Sequence, residues 1–489
     1  MMKSIPQPNA PGLNYRTMME RRSAGELHEI AHLKRFLEVW SADPEVRAEY
    51  HQIAVSGGSF DALRLRLNSE IDIAQLTPIV VPSLAHIRQS PELRNYPLGL
   101  VWHHYIRDMI RHRDLMLPAG QSGGRNPGFD AWRLRQIQRL RGELGANADG
   151  IMHPAIAFEL SDGCSVGCWF CGISAAKFRG HWPYQPNQDA WRAILDHTVD
   201  FFGPAAATGF CYWATDPSDN PDYPDFLLDF YKATGSMPQT TTAAPLKNVE
   251  LTRRVMALYD QYRTVTNRFS ILNRKYLQRV HAAFTADELL GVELVIQAQD
   301  SHGKKSLAGR AMEKAGTKKE KLVSDSTIAC VSGFLVNLPL GRVQVVTPTR
   351  ATPEVPNGYY ILGERFFKTP DEYGLALREL GAEHMVADLK ADDRLTVRPD
   401  FRIDTDMDGL TLSDNLWLHS INGPLGEMLR QSHDSGPVRV SEVVGHIAER
   451  GGNVLGGIAS LEKLFARGIL QEQGMLGHYM KERQEALVS

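Results

Sequence analysis

Cys164, Cys168 and Cys171 fall close together in the run Glu159-Leu-Ser-Asp-Gly-Cys164-Ser-Val-Gly-Cys168-Trp-Phe-Cys171-Gly. The spacing is C-x3-C-x2-C, and Gly163, Gly167 and Gly172 give the loop the backbone freedom to turn three thiolates toward one point. Three thiolates are one short of a full iron–sulfur cubane set. An iron without a protein thiolate is open to a substrate or cofactor. Other chemistries fit less well. Structural zinc takes four ligands in paired spacings, and the remaining cysteines, Cys211 and Cys330, are isolated. A nucleophile needs one thiol, and a c-type haem needs C-x-x-C-H. The spacing therefore points to an iron–sulfur centre.

The elements that must hold this loop follow from periodicity. Apolar or β-branched runs predict strands over Ala155–Leu160, Gly209–Trp213, Pro238–Thr242, Arg268–Leu272, Glu293–Ala298 and Thr327–Val336. Helical patterns lie between them at Asp189–Phe202, Phe226–Thr234, Val249–Tyr262 and Arg274–Phe284. This alternation predicts an α/β fold, a partial (β/α)6 barrel over residues 151–370, with the cysteine loop directly after the first strand. Ahead of it, residues 1–150 read as a helical region behind a loose arm at 1–20. Leu27, Ile30, Leu33, Phe36, Leu37 and Trp40 recur at helical spacing, and Asp43 caps a helix that begins at Pro44. Residues 371–489 read as a mostly helical, winged-helix-like region with two amphipathic helices separated by glycines. The lysine-rich stretch Ser301–Ser326 reads as a solvated excursion between the fifth and sixth strands.

Composition bounds the partners. Lys and Arg number 54 against 57 Asp and Glu, so no basic surplus marks a nucleic-acid binder. No apolar run is long enough to cross a membrane. The first residues, MMKSIPQPNAPGLNY, lack an apolar signal core. Five cysteines, an odd number, argue against a disulfide framework and for a reducing, cytoplasmic setting.

The cysteine motif with its aromatic residue, C-x3-C-x-Phe-C, resembles the signature of radical S-adenosylmethionine enzymes. ELSDGCSVGCWFCG, YWATDPSDNPDY, the TTTAAP strand and KRFLEVWSADPEVRAEY together resemble the proteusin-type peptide epimerases, which convert L-residues of ribosomal peptides to D-residues. The resemblance implies that Cys164, Cys168 and Cys171 hold a [4Fe–4S] cluster whose open iron binds S-adenosylmethionine, with Phe170 near the adenine. Thr215 and Asp216 stand where the family grips the methionine ammonium; Asp216 equally suits a turn cap. Thr241, Ser270 and Gln297 are candidate cofactor contacts, since ligands in such folds sit at strand C-terminal ends. Cys330 is the candidate hydrogen-atom donor, with Cys211 as the other; a buried core thiol is the bland reading of either. The implied partners are a precursor peptide, with Trp40 to Tyr50 resembling a docking segment, and an external one-electron reductant. Crosslinking or backbone cleavage on the same scaffold, or a metal-containing peptide-binding protein, are the alternatives. His103, His104 and His153 read as ordinary helix or loop histidines.

Overall fold

The structure is a computed structural model that describes residues 15–298, 300–302, 305–315, 322–323, 326–398, 401–406 and 409–471. It is a mixed α/β protein. The helical N-terminal region forms as the caps dictate. Ser23 accepts from the Glu26 amide to open the helix Ala24–Ala42. Asp43 accepts from the Glu45 amide to open Pro44–Ser56, with Pro44 in its first turn. Leu33, Phe36, Tyr50, Ile73 and Leu76 close a small core among these helices. Tyr50 is fully buried and donates to the Ile73 carbonyl, while Trp40, Asp43 and Arg47 of the same stretch meet His302, Arg274 and the Asp300 carbonyl of the central region.

Seven strands form the two larger sheets of the central region: β1 (Ile156–Glu159), β2 (Thr241–Thr242), β3 (Asn267–Ile271), β4 (Val292–Ile296), β5 (Gly333–Asn337), β6 (Arg342–Pro348) and β7 (Tyr359–Phe366). They form two sheets among the described residues. In one, β2, β3 and β4 run parallel in chain order. In the other, β1 pairs in parallel with β5, and β6 and β7 continue it antiparallel. The expected strand Gly209–Trp213 shrinks to a single parallel bridge, Phe210 beside Ala157. Tyr212 bridges the two sheets by bonding Gln239 and Thr241. The sixth strand of the sequence pattern thus lies beside the first instead of extending from the fifth. Gly333 permits this, because a Cβ there would meet the Ala155 carbonyl oxygen at 1.8 Å.

Alternation separates two faces. Ile156, Phe158, Cys211, Phe334 and Val336 face the covering helices Gln188–Phe202 and Tyr223–Thr234, where Trp191 and Phe226 interlock edge to face. Ala157, Phe210, Leu335 and Val346 face the interior. Helix Pro370–His384 packs into the same central core through Tyr373, Leu377 and Leu380. Beyond Met385 the chain has a core of its own. A three-stranded meander (402–406, 409–413, Leu418–Asn422) precedes helices Gly423–Ser435, Val440–Glu449 and Val454–Ala466, and a second small sheet joins Arg394–Val397 to Val438–Arg439 and Leu470–Gln471. This unit carries more strand than its helical sequence pattern predicts, because its strands are short and half-exposed. Among the described residues no helix is long and apolar enough to cross a membrane.

Candidate functional site

The site begins at the end of β1. Glu159 is buried there, and one of its oxygens accepts from the Ala214 amide at 2.9 Å while the other accepts from Asn337 Nδ2 at 2.7 Å. One carboxylate thereby ties together the ends of β1 and β5 and the loop after Phe210. Burial raises its pKa. The chain then closes on itself: Ser161–Asp162 pairs antiparallel with Gly180–His181, and Arg179 grips Asp162 through two bonds of 2.6 Å. The three cysteines hang in the loop above this neck.

Local geometry fixes the loop. Gly163 sits at φ +75°, and a Cβ there would meet the Lys177 carbonyl oxygen at 2.2 Å. The Cys164 amide donates to the Ala176 carbonyl, and the Ala175 amide reaches the Cys171 sulfur at 3.4 Å. A second clamp comes from a segment read by sequence as a solvated excursion. Arg310, in the helix Gly309–Ala315, donates its backbone amide to the Cys171 carbonyl at 2.9 Å. Its guanidinium donates to the carbonyls of Cys168 and Ala175, both at 2.8 Å. Gly309 allows the approach, since a Cβ there would meet the Gly172 oxygen at 2.5 Å. Asp219 holds the other flank by accepting from the Ser165 amide and hydroxyl while pairing with Lys247.

The donor set can be tested against the centre its spacing implies. Among the described residues, the group of metal-ligating atoms that converges to within 4.8 Å is elsewhere; the three sulfurs are spread more widely. A single tetrahedral zinc, with bonds of about 2.3 Å, would hold sulfurs about 3.8 Å apart. A cubane binds each thiolate through a different iron and keeps them further apart. Three ligands instead of four suit a cluster better than a structural zinc. Burial pushes the Cys164 thiol up to about 11 and Cys168 to about 12, the latter aided by Cys164, Asp216 and Cys171 nearby. Thiolates in this pocket need positive charge, which a metal centre supplies.

The other sequence candidates divide. Phe170 is half-buried and meets Trp169 edge to face. Thr215 is half-buried in the loop opposite. Asp216 is 6% exposed, and its oxygens accept from the Ser218 amide, the Thr242 hydroxyl and the Ala243 amide. It therefore caps a turn and ties its loop to β2; burial raises its pKa. Thr241 shares the interior face with Arg268, its register partner, and its hydroxyl meets Tyr212 Oη at 2.8 Å. Ser270, two residues along from Arg268, shares that face by alternation. Gln297 follows β4, with its amide bonded to the Ile271 carbonyl. The spare cysteines separate cleanly. Cys211 is 1% exposed in the core beneath the helices. Cys330 precedes β5, on irregular chain and not on the strand itself, and lines a cavity of about 550 Å³ with Tyr212, Gln239, Trp102 and the half-exposed Arg268 and Glu293. Burial pushes its thiol up to about 12. Two residues earlier, Ile328 presses against Gly172 of the cysteine loop, where a Cβ would meet it at 2.4 Å. Two residues of chain span at most about 7 Å, so the segment joins loop to cavity. Glu159 and Arg310 escape sequence reasoning because each acts through contacts remote in sequence.

No protein-family model matches the chain. It is 40% identical over 469 residues to the uncharacterized protein y4wI of Sinorhizobium fredii (strain NBRC 101917 / NGR234), covering 94% of this chain and 91% of that one. The chain belongs to the y4wI family. A solved structure, BtrN in complex with AdoMet and 2-DOIA, overlaps it with a TM-score of 0.23 and 11% identity, over 30% of this chain and 57% of that chain. An overlap that slight fixes neither fold nor chemistry.

Proposed function

We propose that the protein is a radical S-adenosylmethionine enzyme that inverts α-carbons in a ribosomally made precursor peptide. The observation that carries the reading is the C-x3-C-x2-C loop at the end of β1, clamped by Arg310 on the Cys168, Cys171 and Ala175 carbonyls. Cys164, Cys168 and Cys171 would hold a [4Fe–4S] cluster. With S-adenosylmethionine and an external one-electron reductant, that centre supplies a carbon radical able to remove a hydrogen atom. The chain's own groups do the rest. Phe170 offers a face to the adenine, and Thr215, Thr241, Ser270 and Gln297 offer polar contacts near the strand ends. The Arg310 clamp holds the loop. Cys330 supplies the returning hydrogen atom; the S–H bond breaks as the Cα–H bond forms, and the thiyl radical left behind takes one electron from the external reductant and one proton from solvent to restore S–H. Its raised pKa keeps it as S–H at neutral pH, the form a hydrogen-atom donor needs, and it lines the cavity where Cys211 does not.

A precursor peptide would dock along Leu418–Asn422, which is an edge strand of its sheet among the described residues; a groove of about 430 Å³ separates it from helix Val454–Ala466. Free edge groups beside a groove suit an extended peptide that adds a strand. Lys463 and Arg467 line the groove and favour an acidic segment, while burial and these two cations lower the pKa of His419 beside them.

Anaerobic reconstitution with iron and sulfide, followed by reaction with precursor peptide in D2O, tests the reading. Brown protein, 5′-deoxyadenosine and one deuterium per inverted residue are expected. A product lighter by two hydrogens makes the enzyme a crosslinking catalyst, and a colourless zinc protein removes the radical reading altogether. Cys330→Ala should still form 5′-deoxyadenosine and should stop inversion.

A further inference from the structure

The group of ligand atoms that converges to within 4.8 Å consists of His28, His32 and Glu70. It lies in the N-terminal helical region and owes nothing to the cysteine loop. His28 and His32 stand one turn apart on helix Ala24–Ala42, so both imidazoles leave the same face, with ring centres 4.3 Å apart. Glu70 arrives from a different part of the chain, its Oε2 lying 3.9 Å from His28 Nε2 and 3.7 Å from His32 Nε2. Three ligating atoms thus face one point from two elements.

A second observation concerns the far side of the His28 ring. His28 Nδ1 meets both oxygens of Asp287, at 3.0 and 3.1 Å. A carboxylate on Nδ1 fixes the tautomer that carries its proton there and turns a bare Nε2 toward Glu70. Metal-binding histidines are held in this way, with a carboxylate behind the ring that also raises its basicity. Asp287 lies just ahead of β4, so the arrangement joins the N-terminal helices to the central region.

We propose that His28, His32 and Glu70 bind one divalent transition-metal ion of the zinc class. Asp287 orients the first ligand, and the ion tethers helix Ala24–Ala42 to the Glu70 loop and the β4 approach. Two imidazoles and a carboxylate suit zinc, and three protein ligands leave one position to water. The stretch His28-Glu29-Ile30-Ala31-His32 also has the H-E-x-x-H spacing that places two imidazoles on one helix face. Glu29 is exposed and is not among the converging atoms.

The test uses full-length protein with its thiols alkylated beforehand, titrated with zinc chloride against a chromogenic chelator. One zinc per chain at micromolar affinity or tighter is expected, with a rise in Tm on zinc addition. Glu70→Gln, an exposed position where folding is not at risk, and His32→Ala should each lose the site. Asp287→Asn should keep the stoichiometry and weaken binding by about 10–100-fold. Glu29→Gln should bind as the unaltered chain does. Equal zinc affinity and equal Tm rise in Glu70→Gln and the unaltered chain, or no zinc bound by the unaltered chain, would overturn the proposal. Neither result bears on the cysteine loop, so this site and the radical reading stand or fall separately.

Discussion

At the scale of single residues, two kinds of side chain make the cysteine loop, and only one kind was legible. The cysteines announce themselves because ligand spacing along a tight loop is local. The glycines around them were legible too, and the structure gives one of them a specific duty. Gly163 combines a left-handed φ with a carbonyl oxygen 2.2 Å from where a Cβ would stand. An L-residue there costs roughly 1–2 kcal/mol for backbone conformation alone, before the clash is counted. Gly163→Ala should therefore leave all three thiols present yet cut bound iron to less than half after reconstitution, read by iron assay and visible absorption. Full iron loading in that variant would mean that the loop re-forms around the cluster without this turn. Arg310 was not legible. It lies 142 residues from Cys168 in a lysine-rich stretch, and nothing local distinguishes a clamping arginine from a solvated one. Asp216 was half legible, since a carboxylate before Pro217 reads as a cap, and only its bonds to Thr242 and Ala243 show how fully it is engaged.

At the scale of elements, the alternation of strand and helix was readable, while the order of strands was not. Parallel β1 and β5 read as any two apolar runs would; their pairing depends on Gly333, whose lack of a side chain lets the backbones close. The strand expected at Gly209–Trp213 is β-rich in composition but contributes one bridge, because Tyr212 reaches across to Gln239 and Thr241 and the Ala214 amide that follows is taken by Glu159. The approach to β5 carries a testable electrostatic consequence. His153 is 2% exposed, and its Nδ1 lies 2.7 Å from Ser332 Oγ, so it fastens the chain before β1 to the chain before β5. Burial holds its pKa well below the usual histidine value, with Arg133, Arg139 and Arg141 adding to the effect. The unfolded chain takes up this proton near pH 6.5 and the folded chain does not. The stabilisation is therefore complete above that pH and is lost as the pH falls below it. The loss amounts to about 1.4 kcal/mol per pH unit from this group. Urea unfolding at pH 7.0 and 5.5 should show that slope, and His153→Gln should flatten this component. An unchanged slope in the variant would place the acid sensitivity elsewhere.

At the scale of the whole molecule, helix Pro127–Leu144 joins the central sheets to the C-terminal unit. On one side Arg139 and Glu143 are buried against each other and bond Thr347, Thr349 and Arg350 at the end of β6. On the other, Arg398 is 1% exposed, pairs with Asp414 at 2.6 Å and donates to the carbonyls of Arg139 and Gly468. Asn415 reaches the carbonyls of Gly142 and Glu143. Gly142 is required beneath this pair, because a Cβ there would lie 2.1 Å from Asp414 and 2.7 Å from Arg398. None of this was visible in the sequence, where Arg398 and Asp414 sit among other charges with no period to mark them as buried. Removing one partner of a buried pair leaves an unpaired charge and costs about 3–5 kcal/mol, whereas replacing both with apolar groups costs far less. Asp414→Ala should therefore loosen the C-terminal unit and expose the chain near residues 386–393 to protease, while Arg398→Met with Asp414→Leu should restore much of the resistance. The cysteine loop is held by Arg310, Asp219 and its own neck, all outside this junction, so iron loading should stay at the level of the unaltered protein. If the edge strand Leu418–Asn422 docks the precursor peptide, Asp414→Ala should raise the apparent KM for full-length precursor and leave reductive formation of 5′-deoxyadenosine without peptide unchanged. Loss of iron together with peptide turnover would instead show that the whole chain folds as one cooperative unit across this helix.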